Sequence, residues 1–349
     1  MNSLHYAVVV GINRYPAISD LRGPRGDAQR FTEWLVDPAG GDVPAANVTL
    51  VAATEEDEQV TDYTCAKPTT ANVVRALIRA HDAVRQALTE RPESWAESRL
   101  YVFLAGHGIA PFGGDAALLM ADAAMHMLGN HIAVGKYVEW YESASPFHEV
   151  VFFADCCRTR FGTVAPFAPP FTETTETPDK VNWLIGYAAS LGDPAYESLP
   201  ADPDEARGYF TTALLEGLRG AGGATVADGA VTSDKLSNYV QQHVLERARG
   251  VVSQRATFRT QLSEPLVLAR LQGNGAYPVT LRFPAGFRGW VELRGRLDEP
   301  RRVFVEKDES VESLVPGLYR MIPDSDMAPD FRNDGFFEVV TGGGNGVQF

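Results

Sequence analysis

Short runs of apolar, β-branched and aromatic residues recur along most of the chain, with stretches of helical spacing between them. Tyr6 to Ile12 is the first run, continuous enough for a strand covered on both faces. Asp27 to Val36 carries Ala28, Phe31, Trp34 and Leu35 on one helical face. Val48 to Ala53 predicts a second strand. Thr70 suits the N-cap of a helix to about Thr89, striped by Val73, Val74, Ala76, Leu77 and Ala80. The runs ending at His107 and Asp155 predict strands three and four, with a short helix over Lys136 to Glu142 between them. Asn182 to Ser190 predicts a fifth strand, Tyr209 to Leu218 and Thr232 to Arg249 predict helices, and Pro265 to Leu271 predicts a last short strand. This alternation predicts an α/β fold, a mainly parallel six-stranded sheet with helices on both faces.

The pattern changes near Gly273-Asn-Gly275. From Tyr277 onward the segments are short, alternate apolar with polar, and are broken by Gly, Pro and Asp turns. They predict a small all-β, sandwich-like domain over residues 276–349, following an α/β domain over residues 1–272. Ala165 to Asp179, rich in Pro and Thr and without periodicity, is expected to be a mobile loop.

Two of the predicted strands end in reactive side chains. Tyr101-Val-Phe-Leu-Ala-Gly-His107-Gly108 delivers an imidazole, and Val150-Val-Phe-Phe-Ala-Asp155-Cys156-Cys157 delivers a thiol. In a parallel sheet the carboxyl ends of neighbouring strands open onto one crevice. A histidine and a cysteine meeting there form a nucleophile and its proton shuttle. Gly108 has no Cβ, so its backbone can approach a substrate carbonyl. The Gly108 and Cys157 amides are then candidates for an oxyanion hole.

Composition narrows the alternatives. The 349 residues are 45% hydrophobic and 22% charged, ordinary for a globular protein. A formal net charge of −14 repels phosphate backbones, so no nucleic-acid partner is expected. Cys65, Cys156 and Cys157 are the only cysteines, too few for a disulfide framework or a Cys-x-x-Cys metal site, and they fit a cytoplasmic location. The start, Met1-Asn-Ser-Leu-His5, has no leader pattern, and no apolar run is long enough for a membrane span. Gly11-Ile-Asn-Arg-Tyr-Pro16 supplies no phosphate loop.

His107 precedes Cys157 by fifty residues, the order and spacing of caspases. With Val8-Val-Val-Gly-Ile-Asn13, Gly26-Asp27-Ala28, Gly106-His107-Gly108, Asp155-Cys156-Cys157, Ala188-Ala-Ser190, Ala195-Tyr196-Glu197 and Gly208-Tyr-Phe-Thr-Thr-Ala-Leu-Leu-Glu-Gly-Leu218, the chain resembles the caspase-like cysteine peptidases over about residues 5 to 271. The bacterial, metacaspase and paracaspase branch is the most similar. The resemblance implies the three-layer caspase-like sandwich and a regulated bacterial stress or defence protease. It makes Cys157 the nucleophile and leaves Cys156 as a packing thiol. Caspases proper have Gln-Ala-Cys-x-Gly around the nucleophile and metacaspases follow it with His-Ser-Gly, whereas this chain has Asp155-Cys-Cys-Arg-Thr159.

Carried over residue by residue, the acids that line the P1 pocket in that branch fall on Asp27, Asp155 and Glu197. An acid at Glu197, where caspases proper carry arginine, implies cleavage after Arg, with Lys second. The substrate backbone is expected to pair along Ala188 to Ser190, with Ala189 and Ser190 as contacts and Tyr196 walling the adjacent pocket. Arg160 and Lys180 are candidate self-cleavage sites. Calcium, which many metacaspase-like enzymes need, has no ligand set with convincing spacing here, so no metal or cofactor is assigned. The β-rich tail is a candidate surface for an activating protein. The competing reading is a catalytically silent caspase-like scaffold that binds a protein partner.

Overall fold

The structure, a computed structural model, describes residues 2–143, 145–172, 181–198, 206–221, 224, 229–249, 252–271, 277–284, 287–295, 300–314, 317–323, 335–339 and 346–348. The chain begins β1 (His5–Gly11), α1 (Pro24–Val36), β2 (Val48–Val51), α2 (Glu55–Glu58), α3 (Thr70–Glu90) and β3 (Arg99–Ala105). It continues β4 (Gly108–Ile109), β5 (Ala117–Leu119), β6 (His131–Ala133), α4 (Val134–Ser143), β7 (Glu149–Asp155) and β8 (Asn182–Tyr187). Then come α5 (Tyr209–Leu218), β9 (Ala230–Thr232), α6 (Ser233–Ala248), β10 (Thr257–Gln261) and β11 (Val267–Arg270).

Two compact units divide the described residues: Met1–Leu215 with Val240–Leu266, and Glu216–Tyr239 with Val267–Phe349. The first is organised on a six-stranded sheet of order β10-β8-β7-β3-β1-β2, parallel except for β10. One face of the sheet, including Val8, Val10, Val102, Leu104 and Phe152, packs on α3 and α4 through Val73, Leu77, Tyr137 and Tyr141. On the other face Phe31 of α1 stacks on Phe103, with ring centroids 4.6 Å apart, and meets Phe153 edge-on. Burial on both faces explains why these strands read as unbroken apolar runs. Pro at the start of α1 and a capping box between Thr69 and Asn72 before α3 fix where the helices begin.

The sixth strand differs from the sequence expectation. Residues 257–261 supply it, antiparallel on β8, while Val267–Arg270 pairs with β9 in a two-stranded sheet of its own. The segment after Cys157 also differs: through residue 172 it is docked, with Phe171 against Trp140 at 4.6 Å and Phe167 stacked on His131. Residues 173–179 of the expected loop lie outside the described residues.

The second unit contains the C-terminal strands β12 (Tyr277–Arg282), β13 (Gly289–Gly295), β14 (Arg301–Val305), β15 (Glu309–Leu314), β16 (Gly317–Pro323), β17 (Gly335–Val339) and β18 (Gly346–Gln348). They form sheets of order β15-β12-β18 and β14-β13-β16-β17. Val279, Leu281 and Leu314 of one sheet share a core with Val291, Val305, Met321 and Phe337 of the other. Two small sheets thus bury their inner faces against one another.

Candidate active site

The spacing of the two reactive residues is written into strand register. β3 and β7 are parallel neighbours paired from Arg99↔Glu149 to Ala105↔Asp155. His107 and Cys157 therefore leave the sheet at equivalent positions, each two residues past that last pair. Both line one cleft, together with Asp27, Asp155, Tyr196 and Glu197. The cleft encloses about 140 Å³, room for a long side chain where a single water needs only about 10–15 Å³.

The imidazole is held by a main-chain group that sequence motifs do not show. His107 Nε2 lies 2.7 Å from the carbonyl oxygen of Ser19, in the loop between β1 and α1. A carbonyl only accepts, so Nε2 carries the proton and Nδ1 of the neutral ring is left as the base. Ser19 Oγ stands farther off, at 3.4 Å.

The Cys157 sulfur is bonded elsewhere. Its Sγ accepts from the Ala195 N–H at 3.3 Å and lies 3.6 Å from the Ala195 carbonyl oxygen. Burial pushes the thiol above its ordinary value and the nearby Asp155 adds to this, against a lowering by the Ala195 N–H. Cys157 is thus a covered thiol. Cys156 is buried in the core, where desolvation raises it strongly. Gly108 faces this pair: a Cβ added there would lie 2.5 Å from the Cys157 carbonyl oxygen and 2.6 Å from Cys156 Sγ. Only glycine fits.

Asp155 and Asp27 converge on Gly208, whose added Cβ would stand 2.2 Å from Asp155 Oδ2 and 3.1 Å from Asp27 Oδ2, while Glu197 and Asp27 meet at Gly23, whose added Cβ would stand 2.8 Å from Glu197 Oε2 and 3.3 Å from Asp27 Oδ2. Asp27 is buried, pairs with Arg30, and accepts from the Gly208 N–H at 2.9 Å. Asp155 accepts from the Thr211 N–H and hydroxyl at 3.1 and 2.6 Å. Burial raises both carboxyls, and for Asp155 the charge of Asp27 adds to the rise. Glu197 accepts from the N–H groups of Gly23 and Arg22 at 2.7 and 3.1 Å, anchoring the start of α1 where a negative charge meets the helix dipole.

The expected backbone-pairing segment is already engaged. The carbonyls of Ala188, Ala189 and Ser190 accept from Gln254 Nε2, Arg158 Nη1 and the Asp193 N–H, respectively. Ser190 Oγ donates to the Arg255 carbonyl, and the exposed Tyr196 donates its N–H to Gln254 Oε1. Gln254 is fully buried and clamps the Tyr196 segment to the end of β8, a role no sequence pattern announces. Arg158 is buried too, with its guanidinium 4.1 Å from the centre of the Tyr187 ring. Arg160 is exposed but bridged to Ala110, whose carbonyl accepts the Phe161 N–H at 2.8 Å. Lys180 lies outside the described residues. Among those residues no cluster of three metal-ligating side chains occurs, and no helix is long and apolar enough to cross a membrane.

Residues 4–266 match the family model described as caspase domain. The chain belongs to the caspase domain family. This caspase-domain chain is 28% identical, over 268 residues, to a probable protease of a Desulfuromonadales bacterium, covering 72% of this chain and 31% of that protein. It thus spans under a third of that relative's length. Among solved structures, caspase-1 of Spodoptera frugiperda is similar at 15% identity, with a TM-score of 0.46 over 77% of this chain and 92% of that one. A Geobacter sulfurreducens protein is similar at 14% identity, with a TM-score of 0.43 over 76% and 96%. Family membership supports a peptidase.

Proposed function

We propose that the protein is a cysteine endopeptidase that cleaves protein substrates after Arg, with Lys second, through Cys157 and His107. The observation that carries the reading is the Ser19 carbonyl on His107 Nε2, which leaves Nδ1 free to take a proton in the cleft that Cys157 lines. On substrate entry the Cys157 thiol gives its proton to Nδ1 and its sulfur attacks the scissile carbonyl carbon. The resulting oxyanion lies toward the Gly108 and Cys157 amides. Collapse expels the amine, which takes the proton back from His107, and a thioester remains until water hydrolyses it.

Charge supports the basic preference. Asp27, Asp155 and Glu197 bring three carboxyls to the cleft, against the Arg30 guanidinium paired with Asp27 and the nearby Arg207. A guanidinium, planar and rich in donors, fits paired buried carboxylates better than a point charge does. The C-terminal sandwich is proposed to receive an activating protein, and a bacterial stress or defence role goes with that reading.

An arginyl chloromethyl ketone tests the assignment. Intact-mass spectrometry is expected to show one adduct on the wild-type chain and none on Cys157→Ala, and otherwise identical Asp and Leu ketones are expected to react far more slowly. Equal labelling by all three ketones would defeat the basic preference, and no labelling of Cys157 at all would favour the silent scaffold.

A further inference from the structure

We propose that Tyr15 is the positioning residue of the catalytic imidazole, holding His107 through its hydroxyl and building, through its own main chain, the turn that carries the Ser19 acceptor. This rests on the peptidase reading for its catalytic consequence, but its structural part stands on hydrogen bonds alone.

β4 and β5 are paired antiparallel with Gly108 opposite Leu118 and Ile109 opposite Ala117, so His107 stands opposite Leu119. Directly opposed residues in such a ladder exchange two N–H···O bonds or none. His107 and Leu119 exchange one: Leu119 N–H donates to the His107 carbonyl at 2.8 Å. The other is routed through Tyr15. His107 N–H donates to Tyr15 Oη at 3.0 Å, and Tyr15 Oη donates to the Leu119 carbonyl at 3.0 Å. A phenol hydroxyl is thus inserted into the end of the ladder, immediately before the catalytic residue.

The neighbourhood is fitted to that insertion. Tyr15 is completely buried, so the hydroxyl meets little competition from water. Its ring meets the His107 ring edge-on, with centroids 4.8 Å apart. Gly106 has φ +155°, and a Cβ there would stand 2.4 Å from Oη. The backbone can pass this close to the hydroxyl only as glycine.

Tyr15 N–H donates to Asp20 Oδ1 at 2.9 Å, and Ile18 N–H donates to the Tyr15 carbonyl at 3.0 Å. Arg14 pairs with the other Asp20 oxygen. Those contacts close the turn between Tyr15 and Asp20, and Ser19 lies inside it. One residue therefore fixes both the backbone of His107 and the carbonyl that selects its tautomer.

The test uses the full-length protein labelled with ¹⁵N- and ¹³C-histidine, its His107 resonances assigned with His107→Gln. Long-range ¹H–¹⁵N spectra read the tautomer, and peptide hydrolysis is measured on the same samples. Wild-type His107 is expected in the Nε2–H form. Tyr15→Phe keeps the ring and removes the hydroxyl, so His107 is expected to show averaged nitrogens. Loss of alignment is expected to lower kcat by roughly 10- to 100-fold while KM stays within about threefold. Asp20→Ala, at an exposed side chain, opens the turn without touching the core and is expected to give the same spectral change. It carries the test if Tyr15→Phe does not fold. An unchanged Nε2–H tautomer in the folded variants, or a rise in KM without a fall in kcat, would overturn the proposal. If the wild type cleaves no peptide, the peptidase reading fails, and the spectra still decide whether Tyr15 positions the ring.

Discussion

The backbone N–H of Ala195 sits 3.3 Å from Cys157 Sγ, and the carbonyl of the same residue is 3.6 Å from it. The main chain thus covers the Cys157 sulfur from the segment that also carries Tyr196 and Glu197. A thiol that is buried and raised above its ordinary value holds less thiolate at neutral pH than a free one. Cys65 is exposed on the same chain and serves as an internal reference. Alkylation by iodoacetamide at pH 7, followed by peptide mass spectrometry, is expected to be at least about tenfold slower at Cys157 than at Cys65. Faster reaction at Cys157 would mean that a preformed thiolate exists.

Asp27 and Asp155 each contribute to the pH dependence of stability. Each is raised in the folded state above the carboxyl value of about 4 that it has when unfolded. Their protonated forms therefore favour the fold. That contribution is complete below the unfolded value and is lost as pH rises through the folded one, about 7 for Asp155. Asp155→Asn has no such loss. The variant's Tm minus the wild type's is expected to grow between pH 4 and pH 7, and a constant difference would count against buried, protonated acids. A guanidinium compound draws those protons off, so benzamidine binding measured by calorimetry is expected to release protons and to tighten as pH rises.

Arg158 follows Cys157 and ties the segments at Ala189 and Gly114 to the sheet strand β10. Its guanidinium donates to the Ala189 and Gly114 carbonyls, each at 3.2 Å, and to Thr257 Oγ1 at 3.3 Å, while stacking on Tyr187. Arg158→Met keeps most of the volume and leaves those acceptors without a donor. Urea denaturation is expected to show a loss of about 2–4 kcal/mol. A change under about 0.5 kcal/mol, the usual range for an unconnected surface site, would remove Arg158 from this role.

Ser19 acts through its main chain. Its hydroxyl is 3.4 Å from His107 Nε2 and the carbonyl is 2.7 Å away, so the side chain is dispensable. Ser19→Ala is expected to retain kcat/KM within about twofold. A hundredfold loss would mean that the hydroxyl, and not the carbonyl, holds the imidazole.

Much of this arrangement is legible in the amino-acid order. The strands buried on both faces announce themselves as apolar runs, and the fifty residues between His107 and Cys157 equal the register offset of β3 against β7. The acids at Asp27, Asp155 and Glu197 are reached through family resemblance, and in the structure all three line one cleft. What stays hidden has physical reasons. β10 reads Thr-Phe-Arg-Thr-Gln at a half-exposed sheet edge, so no apolar alternation marks it. The carbonyl of Ser19 has no residue-type signature, because every residue carries one. Gln254 is a single polar side chain whose burial only the fold creates. Phe171, in a Pro- and Thr-rich stretch, gives no periodic signal, yet it packs on Trp140 and His81.

The most direct measurement is the hydrolysis of fluorogenic peptides that differ only at P1, with Arg, Lys, Leu and Asp compared on the wild-type protein and on Cys157→Ala and His107→Ala. The expected result is cleavage after Arg, weaker cleavage after Lys, none above background after Leu or Asp, and loss of all activity in both variants. Activity that survives in Cys157→Ala, or a wild-type preference for Asp, would contradict the pairing of Cys157 with His107 beside an acidic pocket.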